Sequence, residues 1–469
     1  VSARTLFEKL WNDHTVCQLA DGVDLLYIDR IFLHERTGSI SLISLEDAGR
    51  SVLNPEKVFC TMDHIVDTFP GRTDKTTMQG GRDFIEMTRK ATNNENIRLF
   101  DIGDREQGIV HVTSPEQGII LPGLTLVCPD SHTCTQGAFG TLAWGIGSTE
   151  AEQALATNVL RMEKPKSMRV SFDGELPAGV TAKDMILHLI SKYSASGGVG
   201  YAVEFSGSAV KSLSMESRMT LCNMAVEFGA FTGMIAVDEK TIDYVKGRPF
   251  APKGELWEQA VQYWEDLKSD NEATYDKEII IDVTNLSPTV SWGTSPGQSI
   301  ALGEKIPSPN DFEDKNQRIA AENALSYMAI KPGQCLRDLK IDAAFIGSCT
   351  NSRLPDLRRV AKLLKNMKVA SGVRAICVPG STEVKLAAEE EGIDKIFMDA
   401  GFEWRESGCS MCFFAGGESF GFEERVVSST NRNFEGRQGP KTRTHIASPE
   451  TVAASAIAGR ICSASEIEG

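Results

Sequence analysis

Residues 342–353 read Asp-Ala-Ala-Phe-Ile-Gly-Ser-Cys-Thr-Asn-Ser-Arg. The apolar run up to Gly347 predicts a short buried strand over 342–347, followed by a polar turn that carries Cys349. Downstream, 357–367 has the spacing of an amphipathic helix, 373–378 reads as a second strand, and 383–391 as a second helix stopped by Gly392. Strand and helix alternating at this spacing build a parallel sheet flanked by helices. Ligands of such sheets gather at the carboxyl ends of the strands, where Cys349 stands.

The 469 residues suggest about three domains at roughly 100–200 residues each. Turn-rich stretches at 162–167 (MEKPKS) and 285–299 (NLSPTVSWGTSPGQS) place the divisions at 1–165, 166–285 and 286–469. Helices are expected over 150–161 and 215–228, and from the Ser448-Pro449 start to Gly459. No internal repeat or low-complexity segment is present. Forty-one glycines and 41% hydrophobic residues suit a large α/β enzyme.

A net charge of −15 opposes nucleic-acid binding. The densest basic stretch, Arg358 to Lys368, has the spacing of a solvated helix side. No apolar run reaches the ~18 residues of a membrane span, and residues 1–14 hold no signal-like apolar segment. An odd count of 11 cysteines argues against a disulfide framework and for a reducing, cytoplasmic setting.

Residues 407–412 read SGCSMC. Alone, the CxxC pair is compatible with a redox couple, half a zinc site or part of an iron–sulfur site. The other cysteine in a similar loop is Cys349, sixty positions before Cys409. Three thiolates can hold a [4Fe–4S] cube and leave one iron open as a Lewis acid, whereas electron carriers use four cysteines. A buried apolar role is the commoner fate of a cysteine and suits Cys17, Cys60, Cys222, Cys335, Cys377 and Cys462. It suits the Gly- and Ser-flanked Cys409 and Cys412 poorly.

Four histidines neighbour acids or lie in polar settings: His34 beside Glu35, His64 beside Asp63, His111, and His132 in Asp130-Ser131-His132. A carboxylate orients an imidazole and raises its pKa, which makes an acid–base group. A hydrolase triad from adjacent Asp, Ser and His is disfavoured, because triads form in space rather than along the chain. His14 and His188 read as helix-face residues. In 429–439 (STNRNFEGRQG), Asn431, Arg432, Asn433 and Arg437 suggest an anion-binding loop.

These stretches, with LLYIDR, GIVHV, LPGLTLVCPDSHT, GAFGTLAWGIG, GVTAKD, MTLCNMAVEFGA and YVKGRPFAPKG, resemble the aconitase superfamily nearly end to end. Within it the likeness is to the large subunits of isopropylmalate dehydratases. The resemblance implies an α/β fold with a three-domain aconitase-like core of parallel and mixed sheets flanked by helices, lacking the family's mobile fourth domain. It implies one [4Fe–4S] cluster on Cys349, Cys409 and Cys412 with one open iron. It also implies catalytic pairs Asp63 with His64, His111 with Asp130, and His132 with Glu204. His34, Ser131, Asn431, Arg432 and Arg437 would contact substrate.

The implied activity is that of a hydro-lyase isomerising 2- and 3-isopropylmalate through an alkene, in leucine biosynthesis. His64 would be the general acid. The serine base of single-chain aconitases belongs to the fourth domain, so a separate small subunit is expected to supply that swivel domain and serine. The chain alone is then expected to turn over little. Two stretches depart from the family pattern, 69–81 (FPGRTDKTTMQGG) and FFAGGESFGFEER after the CxxC. They keep open another substituted malate, such as citramalate, dimethylmalate or homocitrate. An RNA-binding role and pure electron transfer are the disfavoured alternatives.

Overall fold

A computed structural model describes residues 3–468. The chain forms two compact units, each assembled from three separate stretches. Unit 1 comprises residues 3–65, 80–174 and 198–282. Unit 2 comprises 66–79, 175–197 and 283–468.

Unit 1 is built on a five-stranded sheet of Arg98–Phe100, Val58–Thr61, Arg30–His34, Thr125–Cys128 and Leu142–Gly145, in that spatial order. Every pairing in it is parallel. Phe32, Phe59, Phe100, Val110, Ile119 and Cys128 form a buried cluster on it. A second parallel sheet runs Thr232–Met234, Tyr201–Ser206, Lys166–Asp173, Lys277–Asp282. A three-stranded antiparallel sheet of Thr15–Ala20, Val23–Tyr27 and Val159–Glu163 completes the unit. The turn at 162–167 joins two strands of unit 1.

Unit 2 carries its own five-stranded parallel sheet, in the order Phe402–Trp404, Arg374–Cys377, Ala343–Ile346, Arg425–Ser428, Arg443–Ile446. The helix Leu354–Leu364 makes the first crossover, starting at Pro355 in its first turn. The helices Thr382–Glu390 and Ile393–Ala400 make the second. Ala343, Phe345, Ile376, Val378, Met411, Phe420 and Val426 fill the core, so the CxxC segment is packed into the sheet through Met411. The stretch 285–299 holds most of a small hairpin, Thr289–Ser291 with Ser299–Ala301.

The sequence expectation for this second sheet holds to within a few residues, and the α/β class with it. Two helix expectations change. The helix over 150–161 ends at Thr157, because Asn158 turns left-handed (φ 54°) and residues 159–163 pair as a strand. The helix over 215–228 stops at Asn223 and resumes as one tight turn, Val226–Phe228. Gly392 follows the end of the helix Thr382–Glu390 as expected and, left-handed (φ 72°), also opens the helix Ile393–Ala400.

Candidate active site

In both five-stranded sheets the central strand is the first in chain order, and the chain leaves it in opposite directions. That is a topological switch point, where loops at the carboxyl ends splay apart and leave a crevice. The chemistry-bearing residues stand on those loops.

In unit 1 the strand Arg30–His34 delivers His34 and Glu35. The buried Glu35 carboxylate accepts hydrogen bonds from the amides of Asp63 (3.0 Å), His64 (2.8 Å) and Ile65 (2.5 Å). It thereby shapes the turn after Val58–Thr61. Burial and the Asp63 charge push the Glu35 carboxyl up to about 7. His64 Nδ1 donates to Asp63 Oδ1 at 2.5 Å, and the other Asp63 oxygen accepts from the Val110 amide at 3.1 Å. Val110 and His111 begin the helix Val110–Gln117.

Asp130 stands beyond the fourth strand and gathers three histidines. His111 Nε2 lies 2.9 Å from its Oδ1, His64 Nε2 lies 3.3 Å from its Oδ2, and His132 Nδ1 is 3.7 Å from Oδ1. Burial opposes ionisation of Asp130, but His111 and the other donors outweigh it and hold its pKa well below the usual carboxylate range. Burial likewise opposes ionisation of Asp63, and the His64 contact overcomes it. His64 therefore lies between two carboxylates, one at each ring nitrogen. Its side chain is 14% exposed against 2% for His111 and 6% for His132, so it is the most accessible proton of the three.

The structure corrects one expected pair. His132 Nε2 meets Glu227 Oε1 at 2.9 Å, not Glu204. Glu204 sits mid-strand in the second parallel sheet and accepts from Ser269 Oγ (2.6 Å) and Tyr275 OH (2.9 Å). Ser269 Oγ in turn accepts from the Leu6 amide at 2.7 Å, so Glu204 anchors the start of the helix Leu6–His14. Glu227 arrives through packing of Met215–Asn223 against the Ser131–Phe139 segment, where Asn223 Nδ2 donates to Thr135 Oγ1 at 2.8 Å. The strand Thr232–Met234 approaches the same segment closely: a Cβ on Gly137 would lie 1.8 Å from the Gly233 carbonyl oxygen. An acid inside the apolar run NMAVEFGA was the available signal for Glu227.

His34 is buried, its ring stacked on His64 at 4.1 Å between centroids and its Nε2 3.0 Å from Thr37 Oγ1. Burial, and then the His64 charge, push its pKa down to about 4, so a neutral ring lies against His64. Ser131 is exposed, its Oγ 3.5 Å from His132 Nδ1. His34, Glu35, Asp63 and His64 are close enough to hold a cation. Glu35, however, already spends its oxygens on three amide donors, and those N–H dipoles repel a metal ion.

In unit 2 the first strand ends in Gly347-Ser348-Cys349, with Ser348 left-handed (φ 78°). The CxxC follows the third strand as a single tight turn, the Cys412 amide donating to the Cys409 carbonyl at 3.0 Å. Ser410 inside it is also left-handed (φ 48°), a conformation non-glycine residues adopt mainly where surroundings impose it. None of the three thiols is joined in a disulfide, and each residue is 7% exposed. Ser348 Oγ lies 3.3 Å from Cys412 Sγ and 3.9 Å from Cys349 Sγ. Asn431 reaches the same two sulfurs, at 3.9 and 3.6 Å.

Asn431, expected beside the arginines, thus stands against the thiols. Arg437 lies between the rings of Phe413 and Phe434, 4.9 and 5.3 Å from their centroids. That stacking aligns the guanidinium while leaving its N–H edges for an anion. Gln438 Nε2 donates to the Met411 carbonyl at 3.0 Å and ties this loop to the CxxC turn. Asn433 is structural, donating to Gly293 and Thr444 carbonyls at 2.8 and 2.9 Å.

The two divergent stretches meet within unit 2, where a Cβ on Gly417 would lie 2.6 Å from the Met78 amide nitrogen. Buried Glu418 accepts from Thr68 Oγ1 at 2.8 Å and from Ser410 Oγ at 2.5 Å, and Glu406 N donates to the Thr68 carbonyl at 2.8 Å. The stretch after the CxxC is therefore braced, through Glu418, against both the CxxC turn and Thr68, the residue just before the other divergent stretch. Neither Thr68 nor Glu418 could be singled out from sequence, since the two are 350 residues apart.

Among the described residues no helix is long and apolar enough to cross a membrane. The profile of the aconitase family (aconitate hydratase) matches residues 8–459. The chain is 51% identical over 465 residues to a protein of Bradyrhizobium diazoefficiens named 3-isopropylmalate dehydratase large subunit 1, covering 99% of this chain and 97% of that protein. A solved structure, the holo form of Thermococcus kodakaraensis aconitase X, aligns at a TM-score of 0.46 and 13% identity, over 87% of this chain and 84% of that one.

Proposed function

The chain belongs to the aconitase family, and from that premise we propose that it is the large subunit of a 3-isopropylmalate dehydratase. It is a hydro-lyase that interconverts 2- and 3-isopropylmalate by dehydration and rehydration, a step of leucine biosynthesis carried out in the cytoplasm. The observation that carries the reading is the meeting of Cys349 and Cys412 at Ser348 and Asn431, which brings thiols from two loops to shared polar partners.

Aconitase-family proteins bind a [4Fe–4S] cluster, and the donor set here fits one. The three thiols are buried and none is joined in a disulfide, and the Ser348 hydroxyl and Asn431 amide stand against those of Cys349 and Cys412. They are not drawn to single-ion spacing: among the described residues, the one close set of three or more ligand atoms is that around His34. In this reading Cys349, Cys409 and Cys412 are the ligands and one iron is open. When bound, the cluster supplies a Lewis acid for the substrate's hydroxyl and neighbouring carboxylate.

The residues of the chain do the rest. His64, held between Asp63 and Asp130, donates its proton to the leaving hydroxyl. Asp130 holds His111 and His132 in fixed orientations, and Glu227 fixes the far nitrogen of His132. Arg432 and Arg437 neutralise a substrate carboxylate and set its orientation, with Ser131 as a further polar contact. The carbon base is the serine of a separate small subunit.

The test is anaerobic reconstitution of the cluster, addition of candidate small subunits, and a panel of isopropylmalate, citramalate, dimethylmalate, homocitrate and citrate followed by alkene absorbance. Isopropylmalate is expected to give the highest turnover, and the chain alone little. The divergence of 69–81 and of the stretch after the CxxC, which Glu418 fastens to Ser410, favours, as a second reading, another substituted malate; highest turnover on a different panel member establishes that one instead.

A further inference from the structure

Lys183 lies in the first turn of the helix Ala182–Tyr193 of unit 2, and its side chain is wholly buried. Its Nζ donates to the carbonyl oxygens of Ser429 (2.8 Å) and Thr430 (2.7 Å) and to Asn351 Oδ1 (3.3 Å). Those partners directly precede Asn431 and stand two residues beyond Cys349. All three are neutral oxygens. A buried cation is costly unless a countercharge stands near. Burial pushes the Lys183 pKa down to about 7, and negative charge on Cys349 and Cys412, then on Asp356 and Asp184, pulls it back up. The other buried ionisable group of the same helical turn, Asp184, faces away from these loops and accepts from the Thr181 and Thr289 amides, each at 2.8 Å.

We propose that Lys183 is the buried countercharge of the thiolate set, a positioning residue that ties the Cys349 and Asn431 loops together and holds a bound cluster at a higher reduction potential. The proposal rests on the cluster reading above. A cation beside an iron–sulfur centre stabilises its reduced, more negative form, and outer partners of metal ligands govern retention as well as potential. A lysine that only fastened two loops would serve as well without its charge.

The test uses the full chain, reconstituted anaerobically as the parental protein and as K183M, K183Q and K183R. The readouts are the cluster's reduction potential and the rate of iron loss to a chelator, neither of which needs substrate or small subunit. K183M and K183Q are expected to shift the potential negative and to lose iron about 10- to 100-fold faster, while K183R stays near the parental potential. Parental potential and retention in K183M and K183Q overturn the proposal, as does a K183R shifted as far as K183M. If K183M does not fold, as judged by circular dichroism of the cluster-free chain, K183Q and K183R decide, equal potentials in the two overturning it. A parental chain that takes up no cluster instead overturns the cluster reading itself.

Discussion

The two five-stranded sheets have the same strand order: third, second, first, fourth, fifth along the chain. In both, reactive residues stand on the loops beyond the first and fourth strands. Unit 1 places Glu35 and Asp130 there, with Asp63 and His64 after its second strand. Unit 2 places Cys349 and Asn431 there, with Cys409 and Cys412 after its third. No sequence repeat relates the sheets. The topology supplies a position, and the side chains set on it decide the chemistry. The electrostatics differ accordingly. Unit 1 neutralises itself, each acid matched to a histidine or an amide. Unit 2 sets the hydroxyl of Ser348 and the amide of Asn431 against two soft thiols, with buried Lys183 fastened to the same loops and buried Glu418 on Ser410 of the CxxC turn. In the proposed reading one set moves protons and the other holds a metal centre.

The largest effect should come from removing a thiol. C412A is expected to abolish cluster uptake, read as loss of visible absorbance after reconstitution, while leaving the unit 1 network intact. Retained absorbance would break the assignment of metal chemistry to unit 2. Next, H64Q should lower turnover of the assembled enzyme by about 10²–10⁴-fold with the cluster retained. A parental rate would remove His64 from the role of acid.

A third experiment sharpens the corrected pair. E227Q should lower turnover roughly tenfold or more, because His132 loses the carboxylate that fixes it. E204Q should leave turnover near parental but cost about 1–3 kcal/mol of stability, because Glu204 accepts two buried hydroxyl donors. The opposite pattern would restore Glu204 to the site.

The smallest effect is a pH dependence in unit 2. His445 is wholly buried, its pKa pushed down to about 3 by burial and by Arg425. Its folded pKa lies below the unfolded value of 6.5, so its contribution to stability is complete above that pH and is lost as pH falls toward the folded pKa. Thermal melts should show an acid-side slope of at most about 1.4 kcal/mol per pH unit from this group, absent in H445N. An unchanged slope in H445N would place the acid sensitivity elsewhere.

Much of unit 2 was legible because its signals are local. The strand at 342–347, the cysteine turn and the helix after it lie within a few turns of one another. The helix from Pro449 to Ala458 carries its own cap at Ser448 and stop at Gly459. The paired histidines were legible where acid and imidazole are neighbours, as in Asp63-His64. The His132–Glu227 contact was not, since it joins positions 95 residues apart and depends on how one helix packs. Residues 66–79 leave unit 1 between two of its strands and join unit 2, so the joint role of Thr68 and Glu418 emerges only after folding. Gly392 illustrates the local limit: a left-handed glycine ends one helix and begins the next equally well.

The central claim is that this chain alone carries a cluster with one iron left for substrate. The direct measurement is Mössbauer spectroscopy of the anaerobically reconstituted, iron-57-labelled chain, with and without 2-isopropylmalate. The account predicts a [4Fe–4S] spectrum in which a single iron site shifts on adding substrate while the others stay unchanged. A spectrum unaltered by any malate of the panel, or a chain that binds no cluster, would contradict it.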